Sequence, residues 1–147
     1  MTTQERTSRR EFLCLGVAAA ASACGGCKLL GSRKADVVAE PIQGAIRLTR
    51  EQSAALLASE GSVLVQPEGT HDKIIVMHAD DGSLHAVSAI CTHMGCTVNY
   101  RVDVHHIVCP CHGSEYTVDG ANLKGPAKRP LKQYAVRQED GQVILTL

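Results

Sequence analysis

From Gly61 onward the chain alternates short, β-branched apolar runs with polar turns. The runs are SVLVQ, KIIVMHA, LHAVSA, TVNYRV, HHIVC, EYTV, KQYAVRQ and QVILTL. Between them stand PEGTHD, DDGS, VDGAN and EDGQ. Val, Ile and Tyr suit a half-buried pleated surface, and Asp-Gly pairs suit tight turns, so the pattern predicts hairpins. Upstream, AIRL (45–48) reads as a first strand. The one helical signal is TREQSAALLASEG (49–61), where Thr49 and Gln52 form a capping box and Gly61 sits at the stop. Its predicted role is to pack Leu56 and Leu57 on a sheet. The whole predicts a small antiparallel all-β sandwich or barrel with one short helix.

The N-terminal pattern is different. Arg9-Arg10 precede an uncharged run from Phe12 to Cys27 made largely of Ala, Gly and Ser. Twin arginines before such a stretch read as a Tat export signal, and S-R-R-x-F-L (Ser8 to Leu13) resembles its consensus. The run is shorter than the ~20 residues that span a bilayer comfortably. Cleavage after Ala21-Ser22-Ala23, lipidation at Cys24 and retention as a short anchor are the three fates considered. All place the folded part outside the cytoplasm, on the periplasmic side of the membrane. Residues 28–44 mix charge, Gly, Ser and Pro and read as a linker, able to reach about 55–60 Å if extended. The expected organisation is therefore a signal or anchor at 1–27, a linker at 28–44 and a domain at 45–147.

Composition narrows the function. The chain has 147 residues and a net charge of +0, so it offers no basic field for nucleic acid. It has no Trp and one Phe, so the core must be aliphatic. A metal centre and a cross-link would add rigidity to such a core.

The chemistry lies in two boxes, CTHMGC (91–96) and CPCHGS (109–114). Each holds two cysteines and a histidine, six soft ligands where a mononuclear site takes about four. Thiolate and imidazole suit zinc or an iron–sulfur centre. Zinc fingers usually segregate Cys and His on separate elements, whereas here each loop offers both. A zinc-stabilised binding module is the non-redox alternative.

The two boxes resemble the cluster-binding loops of the Rieske family. The resemblance implies one 2Fe–2S cluster with Cys91 and Cys109 on one iron and His93 and His112 on the other. It implies a Rieske-type sandwich carrying an inserted two-loop subdomain over about 89–130. Cys96 and Cys111 match the positions that form a disulfide in the high-potential branch, a bond suited to a non-reducing compartment. Ser114 and Tyr116 match hydroxyls that hydrogen-bond cluster or cysteine sulfur and raise the potential. Gly113 would let the backbone approach the cluster, and Gly125, Pro126 and Ala127 resemble the family's proline loop. Met94 would be an apolar tip for partner docking. His71, His78, His85, His105 and His106 read as surface residues, and Cys14 and Cys27 receive no role.

By the same resemblance, the expected function is the iron–sulfur subunit of a membrane quinol-oxidising complex, with a cytochrome b and a c-type cytochrome as partners. The potential should fall within roughly −150 to +300 mV and decrease as pH rises. The alternatives are the small Rieske subunit of an exported molybdenum oxidoreductase such as arsenite oxidase, acting with its large subunit, and a stand-alone lipid-anchored carrier. A soluble ferredoxin lacking disulfide and export signal ranks below them.

Overall fold

The computed structural model describes residues 33–57 and 61–147. The N-terminal stretch read as a signal or anchor, with Cys14, Cys24 and Cys27, lies outside the described residues. Eleven strands and one short helix are described, in two sheets. No helix among the described residues is long and apolar enough to cross a membrane.

The larger sheet has the order β1-β3-β4-β5-β10-β11-β2. Its strands are β1 (Val37–Ala39), β2 (Ala45–Leu48), β3 (Ser62–Pro67), β4 (Ile74–His78), β5 (Leu84–Ser88), β10 (Gln133–Glu139) and β11 (Gln142–Thr146). Its two edge strands, β1 and β2, approach one another, so the sheet curls toward a barrel. All pairings in it are antiparallel except β1 with β3, which is parallel. This strand was not expected, because Val37–Ala39 fall within the stretch read as linker, where Val37 is buried. The smaller sheet is β6 (Asn99–Arg101), β7 (His106–Val108), β8 (Glu115–Tyr116) and β9 (Asn122–Lys124), all antiparallel.

Successive strand residues face opposite sides, and here both sides are covered. Val63, Val65, Ile74, Val76, Val143 and Leu145 point into the barrel interior with Ile46 and Leu48. Their neighbours Leu64, Ile75, Met77 and Val87 point the other way, onto Val98, Ile107, Tyr116 and Cys109 of the smaller subdomain. The near-continuous apolar runs of β3 and β4 thus reflect two cores rather than one. The outer core is the floor on which the candidate site rests.

Turn chemistry follows the sequence closely. Asp140 and Gly141 both have positive φ (50° and 74°) and join β10 to β11 as a two-residue loop, as a type I′ hairpin requires. The helix α1 (Ala54–Leu57) is capped as predicted. The Thr49 amide donates to Gln52 Oε1 (2.9 Å) and the Gln52 amide to Thr49 Oγ1 (3.3 Å). Leu56 is fully buried in the barrel core. Of the five expected surface histidines, His71 and His105 are exposed, whereas His78, His85 and His106 are half-buried, His78 at the end of β4 with a buried, unpartnered Nε2.

Candidate metal centre

Two loops rise from the outer core, one after β5 and one after β7, and they share one backbone plan. In the first, the Cys91 amide donates to the Cys96 carbonyl (2.8 Å) and the Gly95 amide to the Cys91 carbonyl (2.9 Å). In the second, the Cys109 amide donates to the Ser114 carbonyl (2.8 Å) and the Gly113 amide to the Cys109 carbonyl (3.0 Å). Gly95 and Gly113, at equivalent places, both lie in the left-handed region (φ 75° and 70°). A Cβ on Gly113 would meet no protein atom within 4 Å, so its glycine is required by the turn rather than by a protein neighbour.

This plan sorts the side chains by depth. Cys91 and Cys109 are 3% and 1% exposed and belong to the outer core. His93 and His112 are exposed above them, with ring centroids 4.8 Å apart and nearly perpendicular. Cys96 and Cys111 are joined by a disulfide that ties the two loops, with Cα atoms 6.5 Å apart. The sulfurs of Cys96, Cys109 and Cys111 lie within 4.8 Å of one another, but two of them are consumed by that bond. Met94 is 70% exposed at the tip of the first loop.

The buried thiols are in contact with each other and face hydrogen-bond donors. Burial pushes Cys91 up, but the Tyr116 hydroxyl at 3.3 Å and the His93 and Met94 amides outweigh it, and its thiol lies below the ordinary value. Burial and the neighbouring Cys91 hold Cys109 above the ordinary value despite the Cys111 and His112 amides. Burial and Cys91 likewise raise Tyr116. The loops therefore present one sulfur built to carry negative charge and a second beside it. That donor set, two sulfurs below two imidazoles, is one that can hold a binuclear cluster with unlike irons, one on each pair.

A third loop closes the remaining side. The Gly125–Pro126 peptide is cis, and the buried Ala127 amide donates to the buried Ser114 Oγ (3.0 Å). Thr92 was not singled out from sequence, yet its hydroxyl donates to the Arg129 carbonyl (2.7 Å) and stands 3.2 Å from the Tyr116 hydroxyl. It ties the first loop to the third, a role visible only once residues far apart in sequence meet. Its place between two expected ligands was the one available signal.

Comparison with known proteins agrees with this geometry. The family described as Rieske [2Fe-2S] domain matches residues 51–135. A cytochrome b6-f complex iron-sulfur subunit of Chlorobaculum tepidum is 51% identical over 76 residues, which is 52% of this chain and 41% of the relative. A menaquinol:cytochrome c reductase iron-sulfur subunit of Geobacillus thermodenitrificans is 40% identical over 70 residues, 45% of this chain and 41% of the relative. The chain thus spans 41% of the length of each of these relatives. Among solved structures, the cyanobacterial plasma membrane Rieske protein of Synechocystis superposes with a TM-score of 0.57 at 32% identity, over 65% of this chain and 95% of that one.

Proposed function

Because this chain belongs to the Rieske 2Fe–2S family, we propose that it is the electron-transfer iron–sulfur subunit of a quinol-oxidising cytochrome bc-type complex. The observation that carries the reading is the depth ordering of the loops, buried Cys91 and Cys109 beneath exposed His93 and His112. In the proposal, the two cysteines hold one iron and the two histidines the other. When bound, the cluster supplies a one-electron couple whose histidine ligation also allows a proton to be released on oxidation.

The chain's own residues set the conditions for that couple. The Thr92 hydrogen goes to the Arg129 carbonyl, so the Tyr116 hydroxyl need not accept from Thr92. Its hydrogen can turn to a deprotonated Cys91 sulfur at 3.3 Å in place of Thr92 Oγ1 at 3.2 Å. Ser114 accepts from Ala127 through its oxygen, so its own hydrogen is free to point inward. Both hydrogens would favour the more negative, reduced state. The Cys96–Cys111 bond and the third loop hold the cover in place, and the buried floor excludes water. His93, His112 and Met94 face outward, where a quinol or a cytochrome would dock.

The twin-arginine segment supports Tat export and an anchored or lipidated protein on the periplasmic side, and the disulfide suits that compartment. The named relatives speak for a cytochrome complex over the molybdenum-oxidoreductase alternative. Electron paramagnetic resonance of the reduced protein tests the centre, and a zinc-loaded, silent protein would sink the reading. Quinol-driven cytochrome c reduction by membranes with and without this chain tests the complex, and equal rates would sink that assignment.

A further inference from the structure

Between Gly120 and Gln138 the chain carries Lys124, Lys128, Arg129, Lys132 and Arg137 and no carboxylate, within a sequence whose net charge is +0. Two of these cations are matched, Lys124 by Glu115 at 2.9 Å and Arg137 by Glu139 at 3.6 Å. Lys128, Arg129 and Lys132 are exposed and have no carboxylate partner among the described residues. Lys132 instead sits over the Tyr134 ring, 4.4 Å from its centroid.

These three charges stand on a fixed backbone. Ala127 and Leu131 point inward and are buried, which turns the residues between them outward. The Ala127 amide is held by Ser114, the Arg129 carbonyl by Thr92, and the Leu131 amide by the Gly120 carbonyl at 2.9 Å. The Lys132 carbonyl accepts from the Ser88 amide at 2.7 Å. Their position matters as much as their charge. A cleft of about 740 Å³ is lined by His93 and Met94 on one side and by Arg129, Pro130 and Lys132 on the other, with Asp72 the only carboxylate among its lining residues. A partner that reaches His93 must therefore also face Arg129 and Lys132.

We propose that the Lys128–Arg129–Lys132 face of the third loop is the electrostatic half of the docking surface, and that it selects an electron partner with an acidic rim around its redox centre. The inference rests on the electron-transfer reading above and adds the partner's charge to it. Arg129 and Lys132, which line the same cleft as His93, together with Lys128 beside them in sequence, steer an oppositely charged protein and fix its orientation. A lipid surface is the poorer occupant, since headgroups bound in this cleft would cover the face through which the electron leaves.

The test uses the full, cluster-loaded chain. The reduced protein is mixed in stopped flow with two oxidised c-type cytochromes of similar potential, one with an acidic and one with a basic surface. Each one-electron transfer converts ferric to ferrous haem and is followed across ionic strength. The acidic cytochrome should react faster at low salt and lose that advantage as salt rises. The K128E/R129E/K132E variant should slow it by about tenfold or more at low salt, and K128Q/R129Q/K132Q by less. The basic cytochrome should show the opposite trend. Variants that keep the cluster spectrum but change neither rate by more than about twofold overturn the inference alone. Loss of sedimentation with phosphatidylglycerol vesicles at unchanged cytochrome rates also overturns it, assigning the face to lipid. Absence of a histidine-ligated cluster spectrum in the wild-type chain overturns the electron-transfer reading and the inference together.

Discussion

The Tyr116 hydroxyl lies 3.3 Å from the sulfur of Cys91, on the buried floor of the centre. Because the Thr92 hydrogen is given to the Arg129 carbonyl, the Tyr116 hydrogen is available to a deprotonated sulfur. Such a bond strengthens as the sulfur becomes more negative, so it favours the reduced state. Tyr116→Phe should therefore lower the reduction potential. A difference of about 1–1.5 kcal/mol between oxidation states corresponds to about 40–65 mV for one electron. Protein-film voltammetry reads this directly, and an unchanged or raised potential would show that the hydrogen points elsewhere.

Ser114 is fully buried and its oxygen accepts the Ala127 amide. Ser114→Ala removes that acceptor and leaves a buried N–H without a partner, which costs about 1–3 kcal/mol. The third loop should loosen as a result. Amide hydrogen exchange at Ala127 should accelerate along with a lower thermal midpoint. A potential shift with unchanged exchange would mean that Ser114 acts on the cluster alone.

How far the sequence revealed this arrangement depended on how local each feature was. The boxes at 91–96 and 109–114 were legible because each holds its ligand types within one turn, and the same backbone hydrogen bonds close both. The Asp140-Gly141 hairpin and the Thr49–Gln52 cap were legible for the same reason. Strand β1 was missed because Val37–Ala39 lie among charged residues and Pro41, and their partner is β3, more than twenty residues away in register. Strand β9 was missed because Asn122–Lys124 are all exposed and gain their conformation from pairing with β8 rather than from burial. Thr92 escaped notice because its meaning comes from Arg129, across the closed centre.

The Cys96–Cys111 bond links the two ligand loops across 15 residues. On the chain-entropy estimate a loop of that length contributes about 3 kcal/mol by restricting the unfolded chain. The C96A/C111A variant should lower the thermal midpoint by roughly 8–15 °C in a domain of this size. The wild-type protein in excess reductant should move toward the variant, while the variant should be indifferent to reductant. Equal midpoints for the two proteins under oxidising conditions would show that the clamp does not restrict the unfolded state.

Several surface carboxylates are held below their usual range by hydrogen bonds. Asp103 is held by Arg101, Glu115 by Lys124, Asp119 by Thr117 and Asp81 by Ser83. A depressed folded-state value means that the unfolded chain takes up protons first as pH falls. The stabilisation is thus present above the ordinary carboxylate range and lost as pH drops through the folded values. Thermal midpoints should be level from pH 7 to about pH 5 and decline below about pH 4. Asp81→Asn should flatten part of that decline. A midpoint that rises on acidification would contradict the sign.

Gly82 and Gly120 share a left-handed backbone, with φ of 79° and 85°, but not the space around it. A Cβ on Gly82 would meet nothing within 4 Å. On Gly120 it would come within 3.1 Å of the Leu131 carbonyl oxygen, 3.2 Å of Leu131 Cβ and 3.2 Å of Val87 Cγ1. Two of those neighbours belong to the residue that anchors the third loop, and the third to the strand beneath it, so little can yield. Gly82→Ala should cost the conformational strain alone, about 1–2 kcal/mol. Gly120→Ala should add overpacking to that strain, for a total of about 2–5 kcal/mol, and should shift the Leu131 resonances. Urea unfolding of the disulfide-intact protein measures both. Equal losses at the two sites would mean that the Gly120 neighbourhood relaxes freely and that the third loop is less firmly seated than its hydrogen bonds imply.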